Sequence, residues 1–190
     1  NTDFGGIRTG TKATRIFSIK NIGVDPLPLG AAPTLTGDPA FQINAFKMPK
    51  GNAIAPGDEV ALIVTFLPQM LGAHDATLTI LSDDSDEYPF VFRLHGLGTG
   101  PEVGIFGEND QPIPDGNDLV TTDFGTAAVD GTVSQTFKIK NTGDLALNLT
   151  GRPRVAISGP HARDFVVKQE PPAQVKPGGG EEVFTIEFRP

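Results

Sequence analysis

FSIKNIG at Phe17–Gly23 and FKIKNTG at Phe137–Gly143 are near-twins set 120 residues apart. Through Phe-x-Ile-Lys the apolar and polar side chains alternate, which puts one face of a strand in a core and the other in water. The Asn-x-Gly that follows is a turn signal. Working outward, each twin is preceded at the same distance by TDFG, at Thr2–Gly5 and Thr122–Gly125. Gly10-Thr11 matches Gly131-Thr132, and Leu27 and Leu29 match Leu147 and Leu149. TLTGDPAFQI (34–43) matches AISGPHARDFVV (156–167), Ala55-Pro56-Gly57 matches Lys176-Pro177-Gly178, and VTFLP (64–68) matches IEFRP (186–190). Blocks that recur in one order mark a tandem repeat.

Other segments alternate in the same way. Val60, Leu62, Val64 and Phe66 share a face, as do Phe184, Ile186 and Phe188; Ala76, Leu78 and Ile80 form a further set, and Phe90, Phe92 and Leu94 another. Glycine (23) and proline (17) punctuate the chain, and no stretch has helical periodicity. The pattern predicts an all-β protein of tandem immunoglobulin-like antiparallel β-sandwiches. The expected domains are residues 1–98, without a lead-in strand, and 99–190, without the last two strands. On this reading the chain is a window across a longer array. Phe17 and Ile19 are expected to be buried like Phe137 and Ile139, and Phe4, Phe41, Phe124 and Phe165 are expected core residues.

The ordered blocks TDFG…GT…F-x-I-x-N-x-G…L-x-L…DF-x-V…PG…F-x-I-x-F-x-P resemble the repeat of bacterial choice-of-anchor D surface proteins, relatives of the abnormal-spindle/hydin-like (ASH) domains. The resemblance implies Ig-like sandwiches in a multidomain protein, with no catalysis. It further implies an extracellular or bacterial cell-surface setting, or, for the ciliary and centrosomal relatives, an intracellular docking scaffold.

Charge and composition exclude several other classes. The net charge is −8, and neither half carries a basic stripe, so attraction to nucleic acid has the wrong sign. No run is long and apolar enough to insert in a membrane as a helix. Without cysteine there are no disulfides, thiolates or cysteine-held zinc. The chain starts at Asn1 with no leader-like segment, which reads as a mature or trimmed fragment.

Catalytic motifs are lacking: there is no G-x-S-x-G elbow, H-E-x-x-H or P-loop. The three histidines, His74, His95 and His161, each read as surface residues. Between Arg93 and Lys138 there is no basic residue, and Glu108, Asp110, Asp115, Asn117 and Asp118 crowd around Gly116. Oxygen donors near a glycine suit calcium, although Asp and Asn are also ordinary turn residues. Calcium is therefore the candidate cofactor. The leading expectation is a structural or adhesive module whose partners are neighbouring repeats or identical chains, joined through open strand edges into filaments. A docking scaffold and a hydrolase hidden in loops are the alternatives.

Overall fold

Apolar alternation is realised as strands throughout the computed structural model, which describes residues 1–116 and 122–190. The structure is nearly all β, with three short 3₁₀ turns at Lys50–Asn52, Glu108–Asp110 and Ala162–Asp164. It divides into two compact units, Asn1–Thr99 and Gly100–Pro190.

In the first unit the strands are β1 (Asp3–Arg8), β2 (Ala13–Lys20), β3 (Leu27–Pro28), β4 (Thr34–Gly37), β5 (Phe41–Phe46), β6 (Ala53–Ile54), β7 (Glu59–Phe66), β8 (Gly72–Ile80) and β9 (Phe90–Thr99). One sheet has the order β1-β9-β8-β4 and the other β2-β7-β5, with β3 and β6 forming a small ribbon. The central strands alternate as the sequence requires: Leu62, Val64 and Phe66 of β7, Leu78 of β8 and Leu94 of β9 are all wholly buried. Such side chains contribute about 1.5–3 kcal/mol each on leaving water. Phe4, Phe41 and Phe66 form an aromatic triad, with centroids 4.6–5.8 Å apart.

The second unit contains β10 (Val103–Phe106), β11 (Pro112–Ile113), β12 (Val133–Asn141), β13 (Leu147–Asn148), β14 (Phe165–Gln169), β15 (Gln174–Val175) and β16 (Gly180–Phe188). Its main sheet has the order β11-β10-β12-β16-β14, beside a β13-β15 ribbon. The pairs β12·β16 and β14·β16 repeat β2·β7 and β5·β7, down to a bulge at the same place: Ile43/Ala45 in one unit, Val167/Gln169 in the other. Its core is built on Phe137, Ile139, Val175 and Phe184. Phe124, Phe165 and Phe188 reproduce the triad, but they are only half-buried. In the first unit β8 and β9 cover that triad, with Gly96 so close that a Cβ there would meet the Phe66 ring at 2.6 Å. Among the described residues of the second unit nothing takes the place of β8 and β9.

Two expectations about burial are corrected. Phe17 and Ile19 are half-buried, whereas Phe137 and Ile139 are each 4% exposed. His74 is not a surface residue: it lies 4% exposed, its ring edge-on to Phe66. His95 and His161 are exposed, as the sequence suggested.

Candidate functional site

The residue that organises one end of each unit is the asparagine of Asn-x-Gly. Asn141 is wholly buried. Its Nδ2 donates to the carbonyls of Leu145 (2.8 Å) and Val175 (3.2 Å), and its Oδ1 accepts from the backbone N–H groups of Gly143 (3.2 Å) and Glu102 (3.0 Å). Asn21 does the same work in the first unit, donating to Asp25 and Ile54 and accepting from Gly23. No other side chain combines two donors and an acceptor at this reach, so the residue clips the turn to the strand ribbon behind it.

The fourth bond of Asn141 has no counterpart at Asn21, and this difference defines the site. In the second unit the segment Gly100–Phe106 runs along the outer edge of β12. Val103, Gly104, Ile105 and Phe106 pair antiparallel with Asn141, Lys140, Ile139 and Lys138. Before the strand begins, Thr142 and Asp144 donate backbone N–H groups to the carbonyls of Glu102 and Gly100, and the Gly100 N–H donates to Asp144 Oδ1 at 2.6 Å. Ile105 packs on Phe137 and Ile139 and seals them from water.

In the first unit the matching edge of β2 is unpaired among the described residues. β9 is likewise open along Phe90–Leu94, because β1 pairs only with its second half. Between these two edges lies a groove of about 640 Å³, floored by Phe17, Ile19, Leu62, Ile80 and Phe92. Its lip, Ile22-Gly23-Val24, exposes two apolar side chains almost completely, at 90% and 89%. On the other side are Asp83, Asp84 and Glu87, with Asp25 beyond them. Acids there are crowded: a hydrogen bond from the Asp86 side chain raises the Asp84 carboxyl above its ordinary range.

The titratable groups elsewhere are committed to structure. His74 Nδ1 lies 2.8 Å from Asp38 Oδ2 and Nε2 lies 3.0 Å from the Met70 carbonyl. Both partners are acceptors, so the ring donates from both nitrogens and is held as the cation. Burial opposes that charge, but the Met70 carbonyl and the Asp38 carboxylate outweigh it, and the histidine pKa is raised. The Asp38 pKa is lowered, first by the Ala40 backbone N–H. His95 Nδ1 sits 3.0 Å from Asp75 on the exposed face of β8 and β9. No serine or threonine is bonded to its other nitrogen among the described residues.

The acidic residues picked out for calcium are dispersed. Glu108 and Asp110 belong to a single 3₁₀ turn, and the Asp110 carboxylate is engaged by the Lys138 ammonium, which lowers the acid's pKa. Asp115 is exposed in the next turn, and Asn117 and Asp118 lie outside the described residues. Among the described residues no three His, Cys, Asp or Glu side chains are grouped to hold a metal. Sequence reasoning did not single out Ile22, Val24 or the Phe17–Phe92 groove. The signal was there in the repeat, where Ile22 and Val24 stand against polar Thr142 and Asp144.

The chain is similar to known proteins at three levels. It is 27% identical over 150 residues, 79% of its length, to the cilia- and flagella-associated protein 74 of Chlamydomonas reinhardtii, and spans 7% of that protein. Among solved structures it is similar to the ASH/PapD-like domain 7 of human CEP192 (17% identity, 54% of this chain and 84% of that one, TM-score 0.38). It is also similar to the secreted serine protease VesC of Vibrio cholerae (10% identity, 98% of this chain and 45% of that one, TM-score 0.43). Residues 1–95, half of the chain, match a family defined by Ig-like domains, and the protein belongs to the HYDIN/CFA65/VesB-like Ig-like domain family.

Proposed function

We propose that the chain is a non-catalytic docking scaffold, a pair of Ig-like modules within a long structural protein of the ciliary type. The observation that carries the reading is the relationship to the cilia- and flagella-associated protein. Its 150 aligned residues exceed either unit alone, so the likeness extends over the tandem and not just over one common sandwich. The committed state of His74, whose two ring nitrogens are both occupied, supports a structural role for that residue over a catalytic one.

An antibody against the chain tests the setting directly. In the organism that carries it, labelling should require permeabilised cells and should follow the cytoskeletal fraction. Labelling of intact cells would overturn the scaffold reading and restore that of a bacterial surface spacer or adhesin.

A further inference from the structure

We infer that the groove of the first unit is a strand-accepting site. Its occupant is an extended segment of a partner protein that adds antiparallel to β2, with an apolar side chain over Phe17 and Ile19 and a basic residue near its start. The inference deepens the scaffold reading and rests on it.

The second unit supplies the template. There, Gly100–Phe106 fills the equivalent position and completes the burial of Phe137 and Ile139. Every acceptor and donor that holds it has a counterpart in the first unit. The N–H groups of Ile22 and Val24 stand where those of Thr142 and Asp144 donate to the segment, and they have no backbone acceptor among the described residues. Asn21 Oδ1 bonds Gly23 and lacks the second donor that Glu102 gives Asn141. Ser18 to Asn21 present the edge that Lys138 to Asn141 use for the ladder. Strand addition to such an edge takes affinity from main-chain bonds and specificity from alternate side chains. An apolar residue in the register of Ile105 would reach the Phe17–Ile19 floor.

The two grooves differ in charge. The first unit's is rimmed by Asp25, Asp83, Asp84 and Glu87, with Lys20 as the one basic side chain lining it. A segment with an acid in the position of Glu102 is therefore repelled, and one with lysine there is favoured.

Glycine at position 23 gives a clean variant. A Cβ on Gly143 would lie 2.2 Å from the Gly100 carbonyl oxygen and 2.5 Å from the Glu102 nitrogen, inside the docked segment. On Gly23 it would meet only Asn21 Oδ1, at 3.2 Å. Gly23→Ala should therefore leave the first unit folded and block docking. Val24→Asp should do the opposite, because it supplies the acceptor that Asp144 gives the Gly100 N–H.

The probe is a fluorescent peptide of Gly100–Gly107 sequence carrying Glu102→Lys, titrated against the full 190-residue chain. Binding is expected, with amide-exchange protection at Ser18–Val24 and not at Lys138–Asp144. Gly23→Ala should weaken it at least tenfold, and Val24→Asp should tighten it several-fold; the unsubstituted peptide should bind more weakly than the lysine form. The proposal is overturned if no peptide binds at millimolar concentration, if protection falls on the second unit instead, or if neither variant changes affinity. Concentration-dependent dimers with the same protected residues would also overturn it, by making a second copy the occupant. The setting found by antibody labelling is independent of all these results, so either reading can fail alone.

Discussion

Replacing Asn141 by alanine removes one buried side chain that closes four hydrogen bonds, to Leu145, Val175, Gly143 and Glu102. At a net contribution of about 1 kcal/mol each, their loss amounts to about 4 kcal/mol. Glu102 is exposed, so its N–H can regain water, which lowers the expected cost to about 3–4 kcal/mol. Asn21→Ala removes three such bonds and should cost about 1 kcal/mol less. Asn141→Asp keeps the acceptor but turns an oxygen toward two carbonyls, so at neutral pH it should be at least as damaging as alanine. Amide hydrogen exchange followed by mass spectrometry across a urea series reads each unit through its own peptides. Loss of less than about 1 kcal/mol in Asn141→Ala, or a larger loss in Asn21→Ala, would refute the assignment of the asparagine as the clip.

The buried His74–Asp38 pair sets the pH profile of the first unit. The raised histidine stabilises fully below its ordinary 6.5 and loses that contribution as pH rises through its folded value, while the lowered aspartate stabilises above 3.8 and loses its share in acid. The urea midpoint should be flat between about pH 4 and 6.5 and fall above it, and His74→Gln should remove that fall; parallel curves for the two proteins would contradict it. Phe137→Ala should cost about 3–5 kcal/mol, and Phe17→Ala clearly less because Phe17 is only half-buried; equal losses would mean that the lead-in strand does not provide the difference. Calcium at Glu108–Asp118 would have to take Asp110 from Lys138. That proposal requires a melting temperature raised by millimolar calcium, and more so in Lys138→Met; an unchanged value in both disposes of it.

Strand character was legible in the sequence because a sandwich core enforces a period of two, as in Phe137-Lys138-Ile139-Lys140. The local turn of TDFG was legible too, and it holds regardless of what pairs with it. The N–H of Gly5 bonds Asp3 Oδ1 and that of Gly125 bonds Asp123 Oδ1, both at 2.8 Å, although Asp3 opens a strand and Asp123 does not. Burial was less legible, since it depends on neighbours distant in the chain. Phe17 and Phe137 have the same local pattern, yet Ile105 covers only the second. His74 escaped because its partners, Asp38 and Met70, become neighbours only when β4 and β8 pair. The groove escaped for a related reason: an open edge is a matter of what is not beside a strand, and alternation carries no trace of it.

The pairing of β1 has a consequence for the order of events during synthesis. β1 is the first strand made, and it pairs in parallel with the last strand of its unit, Asp3 against His95 and Arg8 against Thr99. Phe4, which completes the aromatic triad with Phe41 and Phe66, must therefore wait while the whole intervening sequence leaves the ribosome. Contacts so remote in sequence slow folding. Until β9 arrives, a nascent chain carries the Phe66 face and the edge of β8 uncovered, and this is the interval in which it is most prone to stick to another copy. Slowing translation just after Thr99 should therefore raise the soluble yield, whereas a pause before Phe90 should lower it.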